Sequence, residues 1–393
     1  MSVAPQILGG VDVRLLHTSD WHLGRTLHGA SLIEHQRAFL AWLVETAVAQ
    51  RVDAVLVAGD VYDRAVPPSD AVALLDEALA RFAEAGVPVI ISSGNHDSAV
   101  RLGFGSRLAR AAKVYFRTTT ADVTEPVVFG DLGVYAIPYL LPDAVTAEWG
   151  VERSHAAVLT AAVERIRADA AERAIDRVVV LAHAFVTGAQ PSDSERDITV
   201  GGIGDVPASI FSGLSYVALG HLHGAQQVAE GIRYSGSPLP YSFSERQHTK
   251  SVALVDVPAS GAAAVQLIPT PVAHPMAEVT GTLEEILAAK AGPPGHAWLR
   301  AVLTDVVRPT APMERLRERW PNTLVIEHRP AAEATDSAAD LARLRQTTDP
   351  VEVCAHFVEW VDSTYPDRRQ RDELVDVVET VRNAESALDR QVV

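Results

Sequence analysis

A layered α/β fold is what this sequence predicts, on three observations. Short apolar strands alternate with longer helical stretches from Val13 to about Val257, two of those stretches carry apolar residues on one face, and metal-capable polar residues follow the strands. The predicted strands are Val13–Thr18, Ala54–Ala58, Val87–Ser92, Gly133–Ile137, Arg177–Ala182 and Tyr216–Leu219. Between the first three, residues Glu34–Ala49 place Phe39, Leu40, Leu43, Val44 and Ala47 at helical spacing, and Ser69–Ala85 does the same with Val72, Leu75, Ala78, Leu79 and Phe82. Both stripes are expected to pack on the sheet.

A proline-bearing connector near Pro269–Met276 interrupts this pattern, and a shorter alternation follows: Met276–Thr280, Leu283–Ala289, Ala297–Leu303, Met313–Trp320 and Thr323–Glu327. It reads as a second, small α/β domain. Beyond Pro330 an Ala-rich polar stretch leads to two helices. The first opens on Asp349-Pro350-Val351-Glu352, an N-cap carboxylate, a proline at the first helical position and an acid in the first turn. Its apolar stripe is Val351, Cys354, Phe357, Val358 and Val361; the second helix spans about Asp367 to Leu388. The expected domains are therefore 11–268, 275–330 and 338–393.

At 393 residues the chain has room for two or three cores, and 48% apolar against 21% charged residues is ordinary globular usage, far from the composition of disorder. No apolar run approaches the ~20 residues of a membrane helix and the N-terminus lacks a signal-peptide pattern, so a cytoplasmic protein is expected. The single cysteine, Cys354, excludes an internal disulfide and a thiolate metal cluster. Any metal must use oxygen and imidazole nitrogen. Lys and Arg number 34 against 50 Asp and Glu, a net charge of −16, which argues against a surface that coats nucleic acid throughout. The excess acid lies toward the end: residues 321–393 hold 8 basic and 15 acidic side chains, residues 1–120 hold 11 and 12. Arg101, Arg107, Arg110, Lys113 and Arg117 share a stretch without any acid. A local cationic site is compatible with an acidic protein.

The chemistry lies where the strands end. Asp20 and His22 follow the first strand, Asp60 the second, Asn95, His96 and Asp97 the third, His183 the fifth, and His221 and His223 the sixth. In open α/β sheets the loops at the carboxyl ends of strands converge on one crevice. Two carboxylates, an amide oxygen and imidazoles gathered there form a metal site. Two cations at ~3.5–4 Å need a bridging carboxylate to offset their repulsion, and such a pair activates water and neutralises charge in an in-line displacement at phosphorus. Asp60 is the natural bridge, and a thiolate-free oxygen and nitrogen set suits Mn²⁺.

In order, D-x-H, G-D, G-N-H-D, a single His and G-H-x-H resemble the calcineurin-like metallophosphoesterase superfamily. The stretch His17-Thr18-Ser19-Asp20-Trp21-His22-Leu23-Gly24 narrows the resemblance to the SbcD family of double-strand-break repair nucleases. Val57-Ala58-Gly59-Asp60-Val61-Tyr62-Asp63, Ala218-Leu219-Gly220-His221-Leu222-His223 and Arg233-Tyr234-Ser235-Gly236-Ser237-Pro238 agree with it, and the layout is similar over nearly the whole chain. The resemblance implies a four-layer α/β/β/α sandwich with a small capping domain and C-terminal helices. It assigns one metal to Asp20, His22, Asp60 and His223 and the other to Asp60, Asn95, His183 and His221. His96 is placed at the scissile phosphate, with Asp97 as the acceptor that fixes the His96 tautomer. It further implies metal-dependent DNA cleavage, 3′→5′ on duplex ends and endonucleolytic on single strands and hairpins. The implied partner is an SbcC-type ABC ATPase whose coiled coil is gripped by the C-terminal helices through Phe357, Val358 and Val361, and two copies of the chain form a homodimer within a heterotetramer. ATP belongs to that partner, since no G-x-x-x-x-G-K-S/T loop occurs here.

Blander readings apply to many of these residues taken singly. Asp or Asn after a strand is often a turn former, and the nine histidines outside the motifs are structural or surface groups. Arg101, Arg107, Arg110 and Lys113 are either a solvated helix face or contacts to a DNA backbone. The Gly236-Ser237-Pro238 turn is unassigned. A small-molecule phosphodiesterase or nucleotidase would use the same metals but give the tail no purpose, and a scaffold without catalysis would need a broken ligand set.

Overall fold

The computed structural model describes residues 11–195, 206–330, 349–362 and 364–389. The expected tail therefore begins in part outside the described residues, at 338–348, and also ends outside them.

In chain order the strands are β1 (Val13–Thr18), the two-residue pair β2 (Thr26–Leu27) and β3 (Ala30–Ser31), β4 (Ala54–Ala58), β5 (Val89–Ser92), β6 (Val114–Arg117), β7 (Val127–Phe129), β8 (Leu132–Ala136) and β9 (Arg177–His183). They continue as β10 (Tyr216–Gly220), β11 (Gln226–Ala229), β12 (Ile232–Tyr234), β13 (Ser251–Val257), β14 (Ala264–Pro269), β15 (Met276–Gly281), β16 (Trp298–Leu303) and β17 (Thr323–His328). Two six-stranded sheets result, ordered β14-β13-β1-β4-β5-β6 and β11-β12-β10-β9-β8-β7. The central pairs are parallel: β1 with β4, β4 with β5, and β8, β9 and β10 in succession.

Parallel strands covered on both faces read as continuous apolar runs, and β4 obeys this with Ala54 to Ala58 all buried. Alternate residues of the run serve different layers. Val55 and Val57 join Phe39, Leu43, Leu74 and Phe82 from helices α1 (Ile33–Ala49) and α2 (Ser69–Glu84), while Leu56 joins Leu15, Ile90, Val134 and Leu181 between the two sheets. The second sheet packs Tyr135, Val180 and Val217 against Val158 and Ile166 of the helix His155–Glu172. Layer order is therefore helix, sheet, sheet, helix. One polar stitch crosses the middle: buried His17 meets the Tyr216 hydroxyl at 2.9 Å and the Leu219 carbonyl at 3.2 Å, and burial pushes its imidazole down to about 3.

Two expectations need correction here. The periodicity puts Val72 on the buried stripe of α2, yet it is 45% exposed, because Leu74 and Ala71 take the sheet-facing positions. The helix His155–Glu172 has no counterpart among the expected elements; its alanines fall on both faces, Ala161, Ala162 and Ala170 buried beside Val158, Leu159, Val163 and Ile166 but Ala168 and Ala171 exposed, which blurs the apolar stripe in the sequence.

The small sheet, β15-β16-β17, is wholly parallel, and its crossover helices Leu283–Ala288 and Pro312–Arg319 pack Leu283, Ile286 and Leu316 on Leu299, Ala301 and Leu303. Its other face meets the sandwich through Trp298 with Leu27, Tyr241 and Phe243. This sheet belongs to one compact unit with the sandwich, Met1–Leu303 and Pro309–His328. The second unit is Thr304–Arg308 with Arg329–Val393. Within it, helix Pro350–Asp362 opens as expected, Asp349 accepting from the Val351 amide at 3.1 Å, and Arg371 of helix Arg368–Asp389 ion-pairs with Glu352.

Glycine is required where strand ends meet. A Cβ on Gly220 would lie 1.7 Å from the Ala58 carbonyl oxygen, and one on Gly94 would lie 2.1 Å from Asp60 Oδ1. Gly220→Ala should therefore cost about 3 kcal/mol or more, since backbone rather than a flexible side chain must move. Scanning calorimetry on metal-free protein is the check; an unchanged melting temperature would contradict it.

Candidate metal centre

The loops after β1 and β4 are zipped together by backbone: the Asp20 amide donates to Gly59 O at 3.1 Å, His22 to Asp60 O at 3.0 Å and Leu23 to Val61 O at 2.9 Å. Asp20, His22, Asp60 and His221 all adopt positive φ (54°, 45°, 49° and 107°), a conformation that non-glycine residues occupy at a cost and that gathers at functional sites. Gln36, from α1, locks the first loop. Its amide donates to the Trp21 and His22 carbonyls and its oxygen accepts from the Gly24 amide at 3.0 Å.

These constraints bring the expected ligands together. Asp20, His22, Asp60, His96, His183, His221 and His223 are all buried. Ligand atoms of Asp20, His22 and His223 lie within 4.8 Å of one another, as do those of Asp20, Asp60 and His183. Asp60 Oδ2 is 3.4 Å from His183 Nε2, 3.6 Å from His22 Nε2 and 3.8 Å from His96 Nε2. Asn95 Oδ1 lies 2.8 Å from His183 Nε2, and the His221 ring packs edge-on to His183 at 5.3 Å.

The donor set fits divalent cations on its own chemistry. His183 Nδ1 faces the Ala58 carbonyl at 3.0 Å and so carries a proton, which leaves Nε2 aimed at two oxygens, Asn95 Oδ1 and Asp60 Oδ2. His22 Nε2 and His223 Nε2 face each other at 3.1 Å, and buried His22 Nδ1, 3.6 Å from Asp63 Oδ1, has no hydrogen-bond partner among the described residues. Lone pairs directed at one another in a dry pocket are satisfied by a proton or a cation.

Without metal, protons do this work. Burial would lower the His183 imidazole, but the Asp60 carboxylate outweighs it and raises the group to about 9. Burial also raises Asp20, to about 6, while the surrounding His183, His22 and His96 hold Asp60 well below the usual carboxylate range in spite of its burial. A ligating imidazole must be neutral, so cation binding has to expel the His183 proton. Mn²⁺ binding is expected to release one proton between about pH 6 and about pH 9, its affinity rising about tenfold per pH unit. Calorimetry in buffers of different ionisation enthalpy measures this directly, and binding without proton release would count against it.

Asp97 departs from expectation. Its two oxygens accept from the backbone amides of Val61 (3.1 Å), Tyr62 (2.9 Å) and Gly94 (2.9 Å), bracing the loops that carry Asp60 and Asn95. The His96 tautomer is set instead by the Asp63 carbonyl, 2.7 Å from Nδ1, which turns Nε2 toward Asp60. His96 also borders a cavity of about 290 Å³ with Arg25, Thr26, Asp63 and Ser194. Arg25 there pairs with Asp63 at 3.4 Å and stacks over Tyr241 at 4.8 Å. Sequence reasoning missed Gln36, Arg25 and Asp63 as parts of the site, since their contacts are made only in the folded chain.

The basic stretch does not form one helix face. It is split into Ala99–Leu102, Ser106–Ala109 and a 3₁₀ turn at Arg110–Ala112 before β6. Arg101, Arg107, Arg110 and Lys113 are exposed, with Arg101 donating to the Ala65 carbonyl at 3.2 Å and Arg110 3.7 Å from Glu125. Arg117 is buried and donates to the Glu125 carbonyl.

Residues 13–225, a little over half of the chain, match the family described as calcineurin-like phosphoesterase. The chain belongs to that family. Residues 272–361 match a second family, the SbcD C-terminal domain, described as the type 5 capsule protein repressor C-terminal domain. The pair of matches makes this a calcineurin-like phosphoesterase of SbcD type, and a metal-dependent hydrolase of phosphoesters. Among solved structures it is similar to TT1561 of Thermus thermophilus (14% identity, TM-score 0.40, covering 65% of this chain and 99% of that one). It is similar also to a dimetal phosphatase from Danio rerio (13% identity, TM-score 0.40, 64% and 98%). No helix among the described residues is long and apolar enough to cross a membrane.

Proposed function

We propose that this calcineurin-like phosphoesterase is a two-metal DNA nuclease, 3′→5′ exonucleolytic on duplex ends and endonucleolytic on single strands and hairpins, acting in DNA repair and recombination in the cytoplasm. The observation that carries the reading is the shared position of Asp60, whose carboxylate faces His22, His183 and His96 at 3.4–3.8 Å. Asp20, His22, Asp60 and His223 hold one cation and Asp60, Asn95, His183 and His221 the other, both Mn²⁺. Such cations polarise the phosphoryl group and activate water. Asp60 keeps the two lobes together, His96 presents Nε2 to the leaving oxygen, and Arg101, Arg107, Arg110 and Lys113 steady the DNA backbone beyond the cleft.

The organisation 11–268, 275–330 and 338–393, as nuclease, cap and partner-binding tail, is part of this reading. Phe357, Trp360 and Val361 leave an apolar face exposed on helix Pro350–Asp362, with Val358 beside it, as a helix-in-groove contact to the coiled coil of an SbcC-type ATPase requires. Self-association is assigned to a second exposed apolar stripe, carried by two short helices and the turn between them: Val100, Phe104 and Leu108 are 85%, 89% and 82% exposed. Leu108→Asp should weaken dimerisation at least about 30-fold. Sedimentation equilibrium is the check, and unchanged self-association would exclude this stripe as the contact.

The function is tested by hydrolysis of labelled hairpin and duplex DNA with Mn²⁺ and with chelator. Metal-dependent cleavage is the expected result. Turnover of cyclic nucleotides with indifference to DNA would replace this reading by a small-molecule phosphodiesterase or nucleotidase.

A further inference from the structure

Behind His223, on the side away from Asp20, lie three polar side chains that no motif announces. Glu245 and Lys250 are 1% and 5% exposed and form an ion pair. Ser194 Oγ lies 2.5 Å from His223 Nδ1 and hydrogen-bonds Glu245 Oε1, which is itself 3.4 Å from that nitrogen.

The direction of each hydrogen bond in this relay is forced. Lys250 has three N–H donors and three acceptors: Glu245 Oε2, the His223 carbonyl at 2.8 Å and Ser237 Oγ at 2.9 Å. Ser237 can accept because its own proton goes to the Leu239 carbonyl at 2.8 Å. Glu245, neutralised by Lys250, is a carboxylate and has no proton to give. Ser194 must therefore donate its single proton to Glu245, and it has only lone pairs left for His223. His223 Nδ1 is then the donor, and Nε2 is left bare on the face toward His22 Nε2, 3.1 Å away. The backbone of His223 is fixed from both sides as well, its amide donating to Glu195 at 2.7 Å and its carbonyl held by Lys250. The Gly236-Ser237-Pro238 turn gains a purpose: a Cβ on Gly236 would lie 2.8 Å from the His223 carbonyl oxygen, so glycine lets Ser237 reach Lys250.

We propose that Lys250 and Glu245, acting through Ser194, are positioning residues that keep the His223 proton on Nδ1, so that Nε2 is a standing ligand for the cation shared with Asp20 and His22. The inference rests on the two-metal reading above, and extends it to residues outside every motif. Carboxylate support of a ligating imidazole is worth about 10–100-fold in metal affinity.

The test uses full-length protein with Ser194→Ala and the charge-balanced double variant Glu245→Gln/Lys250→Met. Two readouts are taken: the ¹⁵N shifts of the His223 ring in metal-free protein, assigned by their loss in His223→Asn, and Mn²⁺ affinity by electron paramagnetic resonance. Wild type is expected to show Nδ1–H alone. Both variants should show a mixture of tautomers and a 10–100-fold weaker Mn²⁺ site. Should the double variant not fold, Ser194→Ala decides, since its half-buried hydroxyl carries no packing layer. Variants that keep Nδ1–H and bind Mn²⁺ as wild type does would overturn the proposal and leave the two-metal reading standing. A wild type that binds no Mn²⁺ would overturn that reading instead, and with it the ligand role given to Nε2.

Discussion

Asp60→Asn should abolish hydrolysis and the paired metal site together, with turnover reduced at least about a thousandfold, or about 4 kcal/mol of barrier. The substitution is nearly isosteric, and the oxygen that accepts the His96 amide at 2.9 Å is retained. What disappears is the negative charge facing three imidazoles at 3.4–3.8 Å. Two cations held close together then lose the group that screens them from each other. Metal-free protein offers a second readout. With Asp60 present, His183 is raised to about 9 although burial acts to lower it; without that carboxylate, burial is opposed by the weaker influences of Asp20 and the Ala58 carbonyl, and the imidazole falls from that value. A raised folded-state pKa stabilises the fold fully below the unfolded value of about 6.5 and loses that contribution as pH rises through about 9. Metal-free wild type should thus lose stability between pH 7 and pH 10, while Asp60→Asn should not lose this His183 contribution. Melting temperatures across that range, with Mn²⁺ titrations at neutral pH, check both halves. Full metal affinity in the variant would remove Asp60 from the bridging position.

Much of this arrangement could be read before any coordinates, because strand ends and ligands are local features. β1 and β4 fall on the expected residues, and Asp20, His22, Asp60, Asn95, His183, His221 and His223 follow strands that the parallel order places side by side. What stayed hidden is of another kind. Gln36 braces the His22 loop from within a helix whose apolar stripe dominates its pattern, and Glu245 reaches His223 from a single 3₁₀ turn. Neither contact has a sequence spacing, because each joins segments that only the tertiary fold makes neighbours. Asp97 misleads for the opposite reason. Adjacency to His96 suggests a contact with the imidazole, but successive side chains diverge after the strand, and the carboxylate turns to three backbone amides. The same loop geometry hands the orienting role to the Asp63 carbonyl, a backbone group that a sequence cannot single out.

Strain and close approach account for the glycines around the ligands. Gly59 has φ of +80°, and a Cβ there would lie 2.3 Å from His183 Nδ1, so the residue before Asp60 must be bare for His183 to stand against the strand end. Four of the proposed ligands are themselves held at positive φ, which the surrounding loops over-determine through the Asp20–Gly59 and His22–Asp60 backbone bonds. The site is thus built to be rigid before any cation arrives, and a rigid donor set favours a ligand of one size over a flexible one that adapts to several.

His96→Ala should separate catalysis from metal binding. Turnover on hairpin DNA is expected to fall about 10²–10⁴-fold, the usual range for loss of a general acid, with Mn²⁺ stoichiometry and affinity close to those of wild type. The separation follows from which atoms His96 contributes. Its backbone amide supports Asp60 and survives the substitution, whereas its ring gives Nδ1 to the Asp63 carbonyl and turns Nε2 toward Asp60 Oδ2 at 3.8 Å, beside the cavity shared with Arg25. A competing assignment is open to the same measurement. His22, Asp63 and His96 also bring ligand atoms within 4.8 Å of one another, so His96 could serve as a metal ligand rather than an acid. In that case the variant would lose bound Mn²⁺ in parallel with activity. Retained metal with lost turnover places His96 at the leaving oxygen, and retained turnover with retained metal would deny it any part in the reaction.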